Sequence, residues 1–227
     1  MPPPAADLKL LVYDLDGTLV DAFEDIWRAV NVVLGRFGLA ELPFETVKSF
    51  VGEGAATLIR RCLGQEHGGR FEEIYGAFRT YYTENPSRRA RLYPGVARTL
   101  DQLRERGLRQ AILTNKPHEI TLPLCRRLGL AERVEGIWGE RSDAPHKPDP
   151  EALLQIVRHF GLEAAQCAMV GDGQADHQVA RAAGAPMIAV TWGVLSAAQA
   201  RGLRPALVID QMEELAAWLD HAAGGTH

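Results

Sequence analysis

Cysteine is scarce in this chain: Cys62, Cys125 and Cys167 are the only three in 227 residues. They are odd in number, far apart and without a CxxC spacing or companion histidines. That argues against a disulfide framework or a zinc site and leaves buried structural thiols. Long apolar runs are missing too. No stretch approaches the roughly 18 residues of a membrane span, although 46% of the residues are hydrophobic. Nor is there an excess of positive charge. A net charge of −4 gives no general attraction to nucleic acid or to an anionic membrane, so an anionic ligand has to be held by local charge. The stretch Met1 to Asp7 has neither the basic start nor the apolar core of a secretory signal; it is expected to be a short disordered tail on a cytoplasmic protein. Apart from its prolines there is no low-complexity segment, and no internal repeat.

What is present is alternation. Leu8 to Tyr13 is a short apolar run ending at Asp-Gly, which reads as a buried strand delivering Asp14 to its C-terminal edge. From Asp21 to about Asn85 the period changes. Ile26, Val30, Val33, Leu34 and Phe37, then Leu58, Ile59, Cys62 and Leu63, then Phe71, Ile74, Tyr75, Phe78 and Tyr82 recur every three or four residues, which predicts amphipathic helices. Glycines and Pro43 punctuate them, so the stretch reads as a small helical insertion. After the basic run Arg88 to Arg91, read as a solvated hinge, strands are expected at Gln110 to Thr114, Val134 to Trp138, Cys167 to Val170, Pro186 to Thr191 and Ala206 to Ile209. Helices are expected to begin near Pro94, Pro117, Pro148, Gln174 and Met212. The expected fold is α/β: a Rossmann-like parallel sheet with helices on both faces, residues 1–20 and 88–227, carrying an all-helical cap, residues 21–87, after the first strand.

In such sheets ligands bind beyond the C-terminal strand ends, and four chemically loaded segments fall there. Asp14-Leu15-Asp16-Gly17-Thr18 presents two carboxylates on one side of an extended chain. One can attack phosphorus and the other can move protons. Thr114-Asn115-Lys116-Pro117 offers a hydroxyl, an amide and a helix start for phosphoryl oxygens. Lys147, before a proline-started helix, can offset charge on a nucleophile and a transferring phosphoryl group. Asp172 and Asp176, four apart around a glycine-rich turn, suit a hard cation such as Mg²⁺. Each segment alone is an ordinary turn, cap or surface lysine; all four in order at the ends of one sheet point to catalysis.

These segments resemble, in order, the motifs of the haloacid dehalogenase superfamily over nearly the whole chain. By that resemblance Asp14 is the nucleophile, Asp16 the general acid and base, Thr114 and Asn115 phosphoryl contacts and Lys147 the motif lysine. Asp172 is the metal ligand, Asp176 supports it, and Asp14 and the backbone carbonyl of Asp16 also hold Mg²⁺. The helical insertion is similar to the cap of the phosphoglycolate phosphatase and β-phosphoglucomutase branch. Phe50-Val51-Gly52-Glu53-Gly54, Tyr93-Pro94-Gly95-Val96 and Thr114-Asn115-Lys116-Pro117 resemble the phosphoglycolate phosphatases in particular. Gly173 and His177 depart from the pattern, where relatives place a serine and an apolar or acidic residue.

The resemblance implies a Mg²⁺-dependent phosphatase that splits 2-phosphoglycolate or another small phosphate monoester through an aspartyl-phosphate, acting as a monomer or homodimer without nucleic acid or membrane partners. A phosphomutase shares the same machinery, as would a phosphatase for sugar phosphates or nucleotides; a binding module without catalysis keeps the fold alone. A dehalogenase needs no acid at Asp16 and no metal site at Asp172. Specificity is expected in the cap, whose closure excludes water, at Gly52 and Glu53 and at Arg60, an arginine able to bind a second anionic group. His67, His118, His146, His159 and His177 share no metal spacing and are expected at the surface. The four tryptophans, among them Trp192 near a strand end, are expected in the core or between domains.

Overall fold

The computed structural model describes residues 7–85 and 88–223, with the side chains of 221–223 left aside. Residues 1–6 of the expected tail, the Pro86-Ser87 junction and the last four residues lie outside the described residues.

Six parallel strands form one sheet: β1 (Leu10–Tyr13), β4 (Arg109–Pro117), β5 (Gly136–Glu140), β6 (Cys167–Gly171), β7 (Met187–Val190) and β8 (Leu207–Ile209), in the order β5-β4-β1-β6-β7-β8. β1 is central because all four of its residues are buried, which only a strand covered on both faces permits. Leu11 and Tyr13 join one core with Ile112, Ala168 and Val170. Leu10 and Val12, one residue out of phase, join the opposite core with Ala111, Leu113, Cys167 and Met169. On that second face pack α7 (Pro150–His159) and α8 (Gln174–Ala183), through Leu153, Ile156, Val157 and Val179. On the first, Leu100 and Leu103 of α5 (Val96–Glu105) and Leu215 and Leu219 of α10 (Glu213–Ala223) are buried. α6 (His118–Arg127) and α9 (Ala197–Gly202) complete the layers. Since β4 and β6 flank β1 in register, three strand ends converge beside Asp14.

A two-stranded antiparallel ribbon, β2 (Val20–Asp21) against β3 (Arg91–Leu92), carries the chain out of the core and back, with Asp21 and Arg91 paired at 3.0 Å. Between them lie α1 (Phe23–Arg36), α2 (Phe44–Ser49), α3 (Ala55–Leu63) and α4 (Phe71–Glu84). The apolar stripes of the sequence are their buried faces: Ile26, Val30, Val33 and Leu34 on α1, Leu58, Ile59 and Leu63 on α3, and Ile74, Phe78 and Tyr82 on α4. This is the helical cap. Asp25 accepts from the N–H groups of Arg89 and Ala90 at 2.9 and 2.8 Å, tying α1 to the returning linker.

Element ends shift by a few residues from the sequence reading. β4 runs past Thr114 to Pro117, α7 starts at Pro150, and the ribbon and α9 were not expected. The three cysteines are free thiols, Cys125 and Cys167 buried and Cys62 half-buried. Of the histidines expected at the surface, His146 and His159 are exposed, whereas His67, His118 and His177 are half-buried. The tryptophans pack as expected: Trp138 meets Phe160, and Trp192 Nε1 donates to Thr18 O. Among the described residues no helix is long and apolar enough to cross a membrane.

One side chain sets the turn that leads into α2. Asn31 donates to Leu42 O and accepts from Leu42 N, each at 2.9 Å. Asn31→Ala leaves the Leu42 N–H unpaired, and denaturant unfolding should show a loss of about 1–3 kcal/mol with an unchanged slope.

Candidate active site

The backbone N–H of Asp14 donates to Val170 O at 2.9 Å, continuing the sheet ladder one residue past β1. Its carboxylate therefore stands at the sheet edge. Oδ1 accepts from Leu15 N at 2.7 Å and lies 2.9 Å from Lys147 Nζ. Lys147 is 1% exposed, and its ammonium also meets Asp176 Oδ1 at 2.6 Å. Burial alone would lower its pKa, but Asp14 and Asp176 outweigh that and raise it, so the side chain stays charged. Asn115 fixes the loop that carries it, donating from Nδ2 to Lys147 O at 2.8 Å.

Asp172 follows β6 and is held by two donors: Thr18 Oγ1 to Oδ1 and Val194 N to Oδ2, both at 2.7 Å. Asp176 sits in the first turn of α8 and accepts from Gly173 N at 3.0 Å. One carboxylate oxygen from each of Asp14, Asp172 and Asp176 lies within 4.8 Å of the others. Glycine makes this approach possible. A Cβ on Gly17, whose φ is +90°, would fall 2.3 Å from Asp172 Oδ2, and one on Gly193 would fall 2.1 Å from it. Three buried carboxylates cluster there with one ammonium, which pairs with Asp14 and Asp176, and the imbalance shows in the titration of Asp172 and Asp176. Burial first, then the charges of Asp14 and Asp176, raise the pKa of Asp172. Burial likewise raises Asp176, against the opposing pull of Lys147. An all-oxygen, net-negative, glycine-backed cradle has the donor chemistry of a Mg²⁺ site, so these residues fit the ion.

Asp16 points elsewhere. Its Oδ2 lies 2.8 Å from Lys116 Nζ, while its buried Oδ1 has no hydrogen-bond partner. Burial raises its pKa and Lys116 works against the rise. Lys116 also donates to Tyr82 Oη of α4 at 2.7 Å, joining core to cap. These groups border a cavity of about 50 Å³, walled on the cap side by Ile26, Leu58 and Phe78. Thr114, Asn115 and Gly52 line it too, and Gly52 O accepts from Asn115 Nδ2 at 3.1 Å. Both amide hydrogens of Asn115 are thus committed to backbone carbonyls, one in the core and one in the cap.

Two residues expected to meet substrate stand away from this cavity. Arg60 lies with its guanidinium 4.1 Å over the Phe71 ring, and Glu53 pairs with Arg61 at 2.7 Å. The cation at the cavity is instead Lys116, which the sequence offered only as part of a phosphate-binding segment. Tyr82 belongs to the apolar stripe of α4, and nothing in that stripe marks its hydroxyl. His177, a departure from the family pattern, borders a separate cleft with Arg181 and Leu203.

Comparison with known proteins places this arrangement. The chain is 36% identical over 220 residues to phosphoglycolate phosphatase 1 of Pseudomonas aeruginosa, covering 95% of this chain and 81% of that protein. It is 36% identical over 215 residues to the plasmid phosphoglycolate phosphatase of Cupriavidus necator, covering 93% of each. The crystal structure of a predicted phosphoglycolate phosphatase from Haemophilus somnus superposes with a TM-score of 0.84 at 28% identity, over 93% of this chain and 97% of that one. The sequence profile of the haloacid dehalogenase-like hydrolases matches residues 11–190, a span that holds every residue of the acid and lysine clusters, and the chain belongs to that family.

Proposed function

We propose that this chain is a Mg²⁺-dependent phosphatase that hydrolyses a small phosphate monoester, 2-phosphoglycolate foremost, through a phosphoryl group carried on Asp14. The observation that carries the reading is the convergence of Asp14, Lys147, Asp172 and Asp176 in one buried cluster at adjacent strand ends. Relatives named phosphoglycolate phosphatase at 36% identity support the substrate.

In the first step a carboxylate oxygen of Asp14 attacks phosphorus while the bond to the ester oxygen breaks, and Asp16 passes its proton to that leaving oxygen. Asp14 then carries a mixed anhydride. In the second step Asp16, now ionised, takes a proton from a water molecule that attacks phosphorus. Inorganic phosphate leaves and Asp14 is restored. The raised pKa of Asp16 suits a group that must be available protonated at the start. Lys147 fixes the plane of the Asp14 carboxylate, and Thr114 supplies a hydroxyl to the phosphoryl oxygens. Asn115 contributes through its main chain, because its amide is engaged elsewhere. Asp14, Asp172, Asp176 and the Asp16 carbonyl would hold Mg²⁺, which supplies positive charge against the nucleophile and the phosphoryl group. Residues 21–87 serve as a cap over a core of residues 1–20 and 88–227. With so little space beneath it, the cap must open to admit a substrate.

The direct test is phosphate release from a panel containing 2-phosphoglycolate, sugar phosphates and nucleotides, with Mg²⁺ and with chelator. Release from 2-phosphoglycolate that stops on chelation is expected; its place among the poorest substrates would contradict the substrate assignment. Asp14→Asn should reduce release to background while leaving the circular dichroism spectrum unchanged. Asp16→Asn should slow turnover about 10²–10⁴-fold. A further prediction follows from the raised carboxyls. Protonation of Asp172 and Asp176 stabilises the metal-free fold at low pH, and that contribution is lost as pH climbs above the ordinary carboxylate range near about 4 and through their raised values. At about a hundredfold excess over its dissociation constant, Mg²⁺ should raise the unfolding midpoint by roughly 5–10 °C near neutral pH. Thermal scans should show a much smaller gain at about pH 5, where protons compete with the ion.

A further inference from the structure

Lys116 is a second buried ammonium, and the phosphoryl chemistry at Asp14 already has its own in Lys147. Its side chain is 3% exposed and borders the cavity. An ammonium has three N–H donors. Among the described residues two go to Asp16 Oδ2 and Tyr82 Oη, which leaves a third for an acceptor in the cavity. Burying a lysine this deeply is costly unless its charge meets a partner.

Resting on the phosphatase reading above, we propose that Lys116 Nζ receives the carboxylate of the leaving group, so that the site selects phosphate esters of short 2-hydroxy acids. The spacing supports this. Asp16 must touch the ester oxygen to protonate it, and Lys116 Nζ sits 2.8 Å from the Asp16 carboxylate. In a 2-hydroxy acid ester the carboxylate oxygens lie about 3 Å from the ester oxygen by ordinary bond lengths. Acid and cation are therefore one such step apart. An ester whose anionic group is several bonds farther away would carry it past Lys116.

The cavity wall argues the same way. Among the described residues Tyr82 is the one polar side chain that the cap brings to it; the others there are Ile26, Val51, Ala55, Leu58 and Phe78, besides glycine backbone. Sugar hydroxyls would be buried without partners against that wall. The free space is about 50 Å³, room for a few water-sized groups at roughly 10–15 Å³ each, which favours a short leaving group over a bulky one. Arg60 and Glu53, engaged elsewhere, offer no competing anion site in this arrangement.

The test compares kcat/KM for 2-phosphoglycolate with that for 2-hydroxyethyl phosphate, in which an uncharged hydroxymethyl group replaces the carboxylate, in the wild-type protein and in Lys116→Met, both with Mg²⁺. The wild type should prefer the acid by on the order of tenfold or more, and Lys116→Met should bring the ratio to within about threefold of unity. Loss of the Asp16 partner slows both esters alike, so the ratio isolates the carboxylate contact. Equal kcat/KM for the two esters in the wild type would overturn the assignment even if the variant fails to fold. So would a preference that survives in Lys116→Met. Either result would leave the phosphatase intact, whereas no phosphate from any ester would remove the function on which the assignment rests.

Discussion

Lys147 is the interaction on which the rest of the site depends. Its ammonium, with no side-chain exposure, is shared between Asp14 at 2.9 Å and Asp176 at 2.6 Å. It thereby joins the end of β1 to the first turn of α8. Without it three carboxylates would face one another in a water-poor pocket, and removing one partner of a buried ion pair costs about 3–5 kcal/mol because the other is left uncompensated. Its backbone is equally engaged, since Asn115 at the end of β4 donates to its carbonyl. One residue thus ties its own segment to the other three that bring chemistry to the sheet edge. Gly17 and Gly193 then let the chain pass close to Asp172, and the residues that follow them, Thr18 and Val194, donate to its carboxylate.

The two buried lysines divide the acids by task. Around Lys147 lie Asp14, Asp172 and Asp176, an oxygen cradle whose excess negative charge suits a divalent cation. Around Lys116 lie Asp16 and Tyr82, facing the apolar wall of the cap. Asp14 and Asp16 are two residues apart in the chain yet sit in these different electrostatic surroundings, as the proposed division into nucleophile and proton carrier requires. The cap contributes to both: Gly52 O accepts from Asn115, and Tyr82 accepts from Lys116. Arg79 of α4 also pairs with Glu119 of α6 at 2.8 Å across the same boundary, but at an exposed position where such pairs add little.

Much of this could be read from the residues in order. The unbroken apolar run of β1 and the three- and four-residue stripes of α1, α3 and α4 are strong signals because each follows directly from which faces must leave water. The positions of Asp14 and Asp172, each one residue past its strand, follow from the alternation of strand and helix. The ribbon of β2 and β3 could not be read, since two-residue strands carry no periodicity. α9 could have been, because Ser196 and Gln199 form a capping box that the sequence displays. The cap residues were harder. Arginine is the usual anion binder, so Arg60 drew attention, yet whether a helix turns a side chain toward or away from a cavity is decided by packing, here against Phe71. Lys116 and Tyr82 are 34 residues apart and on different layers, and nothing local announces that they meet.

The central claim is that the phosphoryl group passes through Asp14, and the most direct measurement is acid quenching of the Mg²⁺-loaded protein during turnover of a radiolabelled phosphate ester, followed by peptide mapping. The account predicts label that survives acid, is released by hydroxylamine and maps to the peptide containing Asp14. Turnover without protein-bound label at any quench time, or label on a peptide that lacks Asp14, would contradict it.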